Sequence, residues 1–355
     1  MRILYYNVIV FEFNTTNIHL NMKRRNFIQN GAQAGMALSL FGMYACKQNN
    51  KKESEETETA EDQVVETTSL LKLSLAQWSI HRMIREEGLD PYKFAEKAKG
   101  WGFEGLEYVS GLYYPELEKD NFSEAAMKNF VDKCNSEAKK HGLKNVLIMI
   151  DSQGALAAAD AKERKAAVEN HHKWVDAAQA MGCHSIRVNL QGSMEHEEWV
   201  EASVDGLTQL ATYAKDKNIN IIVENHGGPS SNAAWLVSVM EKVNMDNCGT
   251  LPDFGNFCIK REAGDYYESK CIEEYDKYKG VKELMPYAKA VSAKTYDFDD
   301  QGNETMIDYG KMMQIVKDAG YTGFVGVEYE GNELGEEEGI LATKRLLEKI
   351  TGASE

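Results

Sequence analysis

In the stretch Ile219-Asn220-Ile221-Ile222-Val223-Glu224-Asn225-His226-Gly227-Gly228 an apolar, β-branched run ends abruptly in a carboxylate. A strand this apolar is expected to be buried on both faces, as in a parallel sheet covered by helices. A charge at its exit is costly unless a cation or a reaction needs it. The same pattern recurs in Phe324-Val325-Gly326-Val327-Glu328 and in Gly249-Thr250-Leu251-Pro252-Asp253-Phe254-Gly255-Asn256. Three carboxylates at strand ends predict a metal-centred active site.

Outward from these segments, the chain from about Leu70 to Thr351 alternates strand and helix patterns without a break. Strands are expected at Leu71 to Gln77, Gly105 to Tyr108, Asn145 to Ile150, Ser185 to Leu190, Ile219 to Asn225, Gly249 to Phe254, Ala290 to Thr295 and Phe324 to Tyr329. A helical stretch follows each; in Ala161 to Met181, for example, Ala167, Trp174, Ala178 and Met181 share one face. Glycine turns at Gly102, Gly142, Gly182 and Gly320 announce strand starts. Eight such units match a (β/α)8 barrel of about 250 residues, assigned to residues 70–355. The competing architecture, a doubly wound open sheet, lacks a Gly-x-Gly-x-x-Gly turn at its first helix.

The front of the chain is of a different kind. Residues 1–46 hold an upstream segment and then Met22, Lys23-Arg24-Arg25, and an uncharged small-residue stretch from Gly31 to Ala45 that ends at Cys46. Adjacent arginines before a short apolar region predict an export signal of the twin-arginine kind, and Ala45-Cys46 resembles the end of a lipobox. The expected location is therefore periplasmic or lipid-anchored at a membrane. Residues 47–69 have no hydrophobic periodicity, and from Glu53 to Glu66 they carry acids without one Lys or Arg. Such a segment cannot bury a core and is expected to be a flexible tether. It holds much of the formal charge of -16. An acidic chain without a basic patch excludes nucleic acid as the expected partner. With Cys46 set aside, five cysteines remain, an odd number, and no disulfide framework is implied.

The motifs Gly102-Phe103-Glu104-Gly105-Leu106-Glu107, Val223-Glu224-Asn225-His226-Gly227-Gly228, Leu251-Pro252-Asp253-Phe254-Gly255-Asn256, Val291-Ser292-Ala293-Lys294 and Gly326-Val327-Glu328 resemble those of the xylose-isomerase-like barrels, the sugar isomerase and epimerase superfamily. The resemblance spans the whole barrel. It implies a divalent metal held by Glu, Asp, His and Glu from strands five to eight. Glu224, Asp253 and Glu328 match residue by residue. The histidine does not, because Ser292 stands in its place, and Asn256 occupies a position often held by His. Either Ser292 is a weak ligand or yields to water, or His226 moves in from the same side of its strand, or the metal is lost. Oxygen ligands favour Mn2+ or Mg2+ over Zn2+.

A sugar bound through its carbonyl and neighbouring hydroxyl on such a metal has a more acidic C–H, because the enediolate is stabilised. Glu224 and Glu328 on opposite sides of that carbon would move a proton from one face to the other, which is epimerisation. Lys294 is expected either to orient the enediolate oxygen or to pair with Asp253. Expulsion of a β-substituent instead gives elimination, as in a 3-keto-glycoside lyase. A non-catalytic sugar-binding barrel is the third reading; two acid/base carboxylates aimed at one point favour an enzyme. Other expected substrate contacts are His81 at the mouth, His226 and Asn256, Glu107 with a substrate hydroxyl or in a salt bridge, and Asn189 with Arg187 on strand four, for which barrel packing is the alternative. Tyr113 and Tyr114 are expected in a loop over the pocket, and His171 and His172 on the outer surface.

Overall fold

The computed structural model describes residues 72–352 apart from Glu268. The signal-like segment and the acidic stretch expected over residues 1–69 lie outside the described residues. Eight parallel strands form the barrel: β1 (Lys72–Ala76), β2 (Gly105–Val109), β3 (Lys144–Met149), β4 (Ser185–Val188), β5 (Asn220–Glu224), β6 (Cys248–Leu251), β7 (Val291–Thr295) and β8 (Phe324–Tyr329). They pair in the order β6-β5-β4-β3-β2-β1-β8-β7. The circle closes through parallel bridges of Thr250 with Ala288 and of Asp253 with Ser292. Closure settles the choice against an open doubly wound sheet. It also sets Asp253 beside Ser292 by backbone pairing alone.

The strands are mostly apolar and buried, and helical structure follows them whose apolar face covers the barrel. The helix Ala161–Met181 shows the pattern: Asp160 caps its first turn, and Ala167, Trp174, Ala178 and Met181 are buried. Gly102, Gly142, Gly182 and Gly320 all have positive φ, between 67° and 78°, so the expected turns require glycine for conformational reasons. Inside the barrel, Gly326 leaves room for a neighbour. A Cβ there would lie 2.5 Å from both carboxylate oxygens of Glu107 on β2.

An antiparallel hairpin, Cys258–Arg261 against Cys271–Glu274, interrupts the β/α alternation after β6. Cys258 and Cys271 form a disulfide across it, which corrects the expectation that the cysteines imply none. The odd count hid a single bridge beside three free thiols, Cys134, Cys183 and Cys248. The hairpin tip packs on the glycine pair after β5. Gly227 and Gly228 have positive φ, and a Cβ on Gly228 would meet the Tyr266 ring at 2.6 Å.

Candidate active site

At the C-terminal ends of β5, β6 and β8, Glu224, Asp253 and Glu328 offer carboxylate oxygens that all lie within 4.8 Å of one another. All three residues are buried. Asn225, the residue after β5, holds the ends of two strands together, donating to the carbonyls of Asp253 and Asn256 and accepting from the Asp253 amide. Asp253 Oδ1 accepts from the amides of Gly255 and Asn256 at 2.8 Å, so the turn after it locks its side chain. Its other oxygen accepts from the Ser292 hydroxyl at 2.7 Å, and Ser292 also reaches Glu328 Oε2 at 2.9 Å. Asn256 donates to Glu224 Oε1 at 3.0 Å.

Two buried cations serve this cluster. Arg187 on β4 lies 2.8 Å from Glu224 and 2.9 Å from Asp151. Lys294 on β7 lies 2.7 Å from Glu330, 3.4 Å from Glu328 and 3.9 Å from Asp253. Burial opposes its charge, yet those carboxylates hold Lys294 protonated, its pKa well above that of a free lysine. Glu330 is held down at about 2 against its burial, chiefly by Lys294, and Trp78 Nε1 donates to it. Glu224 and Asp253 go the other way. Burial raises them to about 7 and about 8, outweighing Arg187 and Lys294 respectively.

Five carboxylates therefore share two cations. Glu224 Oε2, close to Arg187 Nε but not aligned with it, is buried without a hydrogen bond. An orphaned buried oxygen and raised carboxyl pKa values mark a negative charge in excess of its compensation. A cluster of three carboxylates with a hydroxyl between them fits a hard divalent cation, which takes oxygen donors. The described residues thus fit a metal ion; its identity is open among such cations.

The structure brings Glu224, Asp253, Ser292, Lys294 and Glu328 together as expected. Asn189, His226 and Asn256 line the same cavity of about 1060 Å³. His226 stays outside the carboxylate cluster, its Nδ1 hydrogen-bonded with the Tyr267 hydroxyl of the hairpin tip at 2.9 Å. His81 does not line the cavity. Its ring stacks on Trp78 at 4.3 Å and its Nδ1–H donates to the Trp78 carbonyl, so it supports the residue that does reach the mouth. Glu107 does not line the cavity, and it has no salt-bridge partner among the described residues. It is fully buried within the barrel, accepts from Ser74 at 2.5 Å, and is raised to about 8 by burial. Of the tyrosine pair, Tyr114 lines the cavity while Tyr113 packs inward on Phe130. His172 stacks on Tyr213, whereas His171 is buried and faces the cavity.

Asp151, Glu330, Trp78 and the hairpin also shape the site, outside the residues expected from the sequence. Asp151 directly follows the expected strand Asn145 to Ile150, as Glu224 ends its own strand, and that is a sequence signal. Glu330 lies two residues past Glu328, on the same side of an extended chain. Nothing local in the sequence announced Tyr267, which arrives from the hairpin and also accepts from Gln191 at 2.8 Å.

Residues 95–350 match the family described as the xylose isomerase-like TIM barrel, and the chain belongs to that family. Among solved structures it superposes on the IOLI protein with a bound zinc atom (TM-score 0.60, 18% identity, 80% of this chain and 99% of that one). A D-tagatose 3-epimerase-like protein gives 0.58 and 17%, over 80% and 98%. The 3-keto-D-glucoside 4-epimerase YcjR of E. coli gives 0.58 and 13%, over 79% and 99%. At these identities the likeness is one of fold. A curated relative, the 3'-dehydrocarminate deglycosidase alpha subunit of a Microbacterium species, is 38% identical over 48 residues; the match spans 14% of each chain.

Proposed function

We propose that the protein is a divalent-metal-dependent sugar isomerase or epimerase that abstracts a proton beside a carbonyl. The observation that carries this reading is the buried convergence of Glu224, Asp253 and Glu328, with two fixed cations too few to neutralise the carboxylates around them. Glu224, Asp253 and Glu328, with Ser292 beside them, would hold the metal, which supplies polarisation of the substrate carbonyl and stabilisation of the enediolate charge.

The chain's own groups do the rest. Glu328 takes the proton from the carbon next to the carbonyl, while the Ser292 hydroxyl and Lys294 fix its carboxylate. The electrons of that C–H bond pass into the enediolate. Glu224, oriented by Asn256 and Arg187, returns a proton to the opposite face. Asn189, itself held by Asp151 and Arg187, and Asn256 present polar groups to the sugar hydroxyls. Trp78 and the hairpin's Tyr267 wall the mouth and limit water. Named neighbours of the same fold include sugar epimerases, which supports the reading.

A second reading, β-elimination from a 3-keto-glycoside, is favoured by the cavity size and by the short match to a deglycosidase subunit. There the same proton abstraction is followed by cleavage of the C–O bond on the next carbon, and the aglycone leaves with a proton. Incubation with free ketoses and with 3-keto-glucosides in D2O, with Mg2+ or Mn2+ and with EDTA, separates the readings. Deuterium in recovered sugar signals epimerisation; released aglycone signals elimination. Glu328→Gln should lower either rate by a factor on the order of 10²–10⁴. Metal-independent turnover, or near-normal turnover in that variant, overturns the assignment.

We also propose that the protein is exported. The twin-arginine segment and acidic tether motivate this, and the Cys258–Cys271 disulfide supports an oxidising compartment. Fractionation of wild type and Cys46→Ala tests it: cytosolic wild-type protein refutes export, and release of the variant from the membrane identifies a lipid anchor.

A further inference from the structure

The cavity does not end at the carboxylates. Its volume of about 1060 Å³ lies at the upper end of ligand-site volumes, about 300–1,000 Å³. Beyond Arg187 and Asn189 the same space is lined by the loop of residues 151–155, by Tyr114 and by His171. That loop is built to hold one shape. Ser152 sits at φ 54°, a left-handed conformation that non-glycine residues adopt at a cost. Gln153, 8% exposed, donates to the Tyr114 hydroxyl at 2.8 Å and accepts from Lys173 Nζ at 2.5 Å, while its carbonyl accepts from Asn170 at 3.3 Å. These bonds pin the loop to the helix Ala161–Met181.

His171 belongs to that helix and is 3% exposed. Its Nδ1–H donates to the Ala167 carbonyl one turn back, at 2.7 Å. Nδ1 is therefore the protonated nitrogen and Nε2 keeps its lone pair. Burial lowers the ring's pKa to about 4, so it stays neutral near pH 7. Among the described residues no side chain or amide donates to Nε2. His171 lines the cavity and its Nε2 is not closed off from it, so a ligand's O–H can take the place of solvent on this acceptor.

We propose that this lobe is a second subsite, taking a hydroxyl-bearing sugar unit linked to the reacting sugar, with His171 Nε2 accepting one of its hydroxyls. The inference rests on the proposed sugar chemistry and narrows its substrate to two-unit glycosides. The probes are methyl β-D-glucoside and cellobiose, one unit and two, and their 3-keto derivatives. In wild-type protein labelled with ¹⁵N-histidine, the Nε2 resonance of His171 should move on addition of cellobiose and stay in place with methyl glucoside. The 3-keto cellobiose should show the lower KM, and His171→Leu should shrink the ratio of the two KM values about fivefold, the worth of one neutral hydrogen bond. His171→Gln, which still offers an acceptor, should restore part of that ratio. An Nε2 resonance indifferent to cellobiose, or an unchanged KM ratio in a folded His171→Leu protein, overturns the subsite. The spectra need no variant, so a misfolded substitution does not block the test. If Nε2 responds to cellobiose but neither keto sugar is turned over, the subsite stands and the proposed reaction falls. Turnover of both with an unresponsive Nε2 is the reverse case.

Discussion

Stripping divalent cations with EDTA should make the barrel lose stability as the pH rises from 6.5 to 8. Burial holds Asp253 and Glu107 at about 8 and Glu224 at about 7, all above an unfolded carboxyl near 4. A raised native pKa means that the folded state binds protons the unfolded state does not. The associated stability is complete below about pH 4 and is lost as the pH climbs through 7 and 8. His171 and His226, lowered to about 4 by burial, act in the opposite direction, but only between about pH 4 and 6.5. Their opposing effect fades across the lower edge of this window. Each fully protonated group contributes about 1.36 kcal/mol per pH unit, so the three carboxyls together give a loss on the order of 4 kcal/mol between pH 6.5 and 8. Saturating Mg2+ or Mn2+ competes with protons at Glu224 and Asp253 and should leave only the share of Glu107, on the order of 1–2 kcal/mol. Urea titrations followed by tryptophan fluorescence, at several pH values with EDTA or with Mg2+, measure both slopes. Equal slopes with and without the cation would refute a metal at these carboxylates, and a stability that rises with pH would refute their protonation.

Further expectations follow from single contacts. Gly326→Ala should destabilise by about 1–3 kcal/mol, since its Cβ would meet the Glu107 carboxylate at 2.5 Å; thermal melts of Gly326→Ala and of Gly326→Ala combined with Glu107→Ala should show partial recovery in the pair. Ser292→His should tighten divalent metal binding by supplying an imidazole where a hydroxyl now joins Asp253 to Glu328, while impairing the native reaction; equal affinity in calorimetric titrations counts against a metal next to Ser292. Opening the hairpin with Cys271→Ser removes a bridge spanning 13 residues. That should cost up to about 3 kcal/mol and raise KM more than it lowers kcat, because Tyr267 would lose its hold on His226 and Gln191.

The barrel was legible because its signals are local and repeated. Mostly apolar runs of four to six residues, amphipathic helices between them, and glycines with positive φ at the turns all follow from backbone sterics and burial. Strand ends place Glu224, Asp253 and Glu328 at one mouth, since a parallel barrel gathers its C-terminal strand ends. Boundaries moved by only a few residues, as at β6, where Pro252 ends the ladder before Asp253. His81, Glu107 and His171 were placed less well. Their roles depend on which neighbour from another strand or helix meets them, and period alone does not carry that information. His81 found Trp78 and Glu107 found Ser74.

By itself, then, the sequence determined the βα alternation, the buried carboxylates, and the substitution of Ser292 at a position where the family's pattern has histidine. The tertiary structure decided how those charges are shared: Arg187 against Glu224 and Asp151, Lys294 against Glu330 and Glu328, and the Ser292 hydroxyl set between Asp253 and Glu328 within hydrogen-bond reach of both. It also decided that a disulfide-bridged hairpin delivers Tyr267 to the mouth and that a buried histidine faces the cavity. Alternation and burial are written in neighbouring residues. Charge pairing is set by distances between side chains tens to hundreds of positions apart, and only barrel closure fixes those distances.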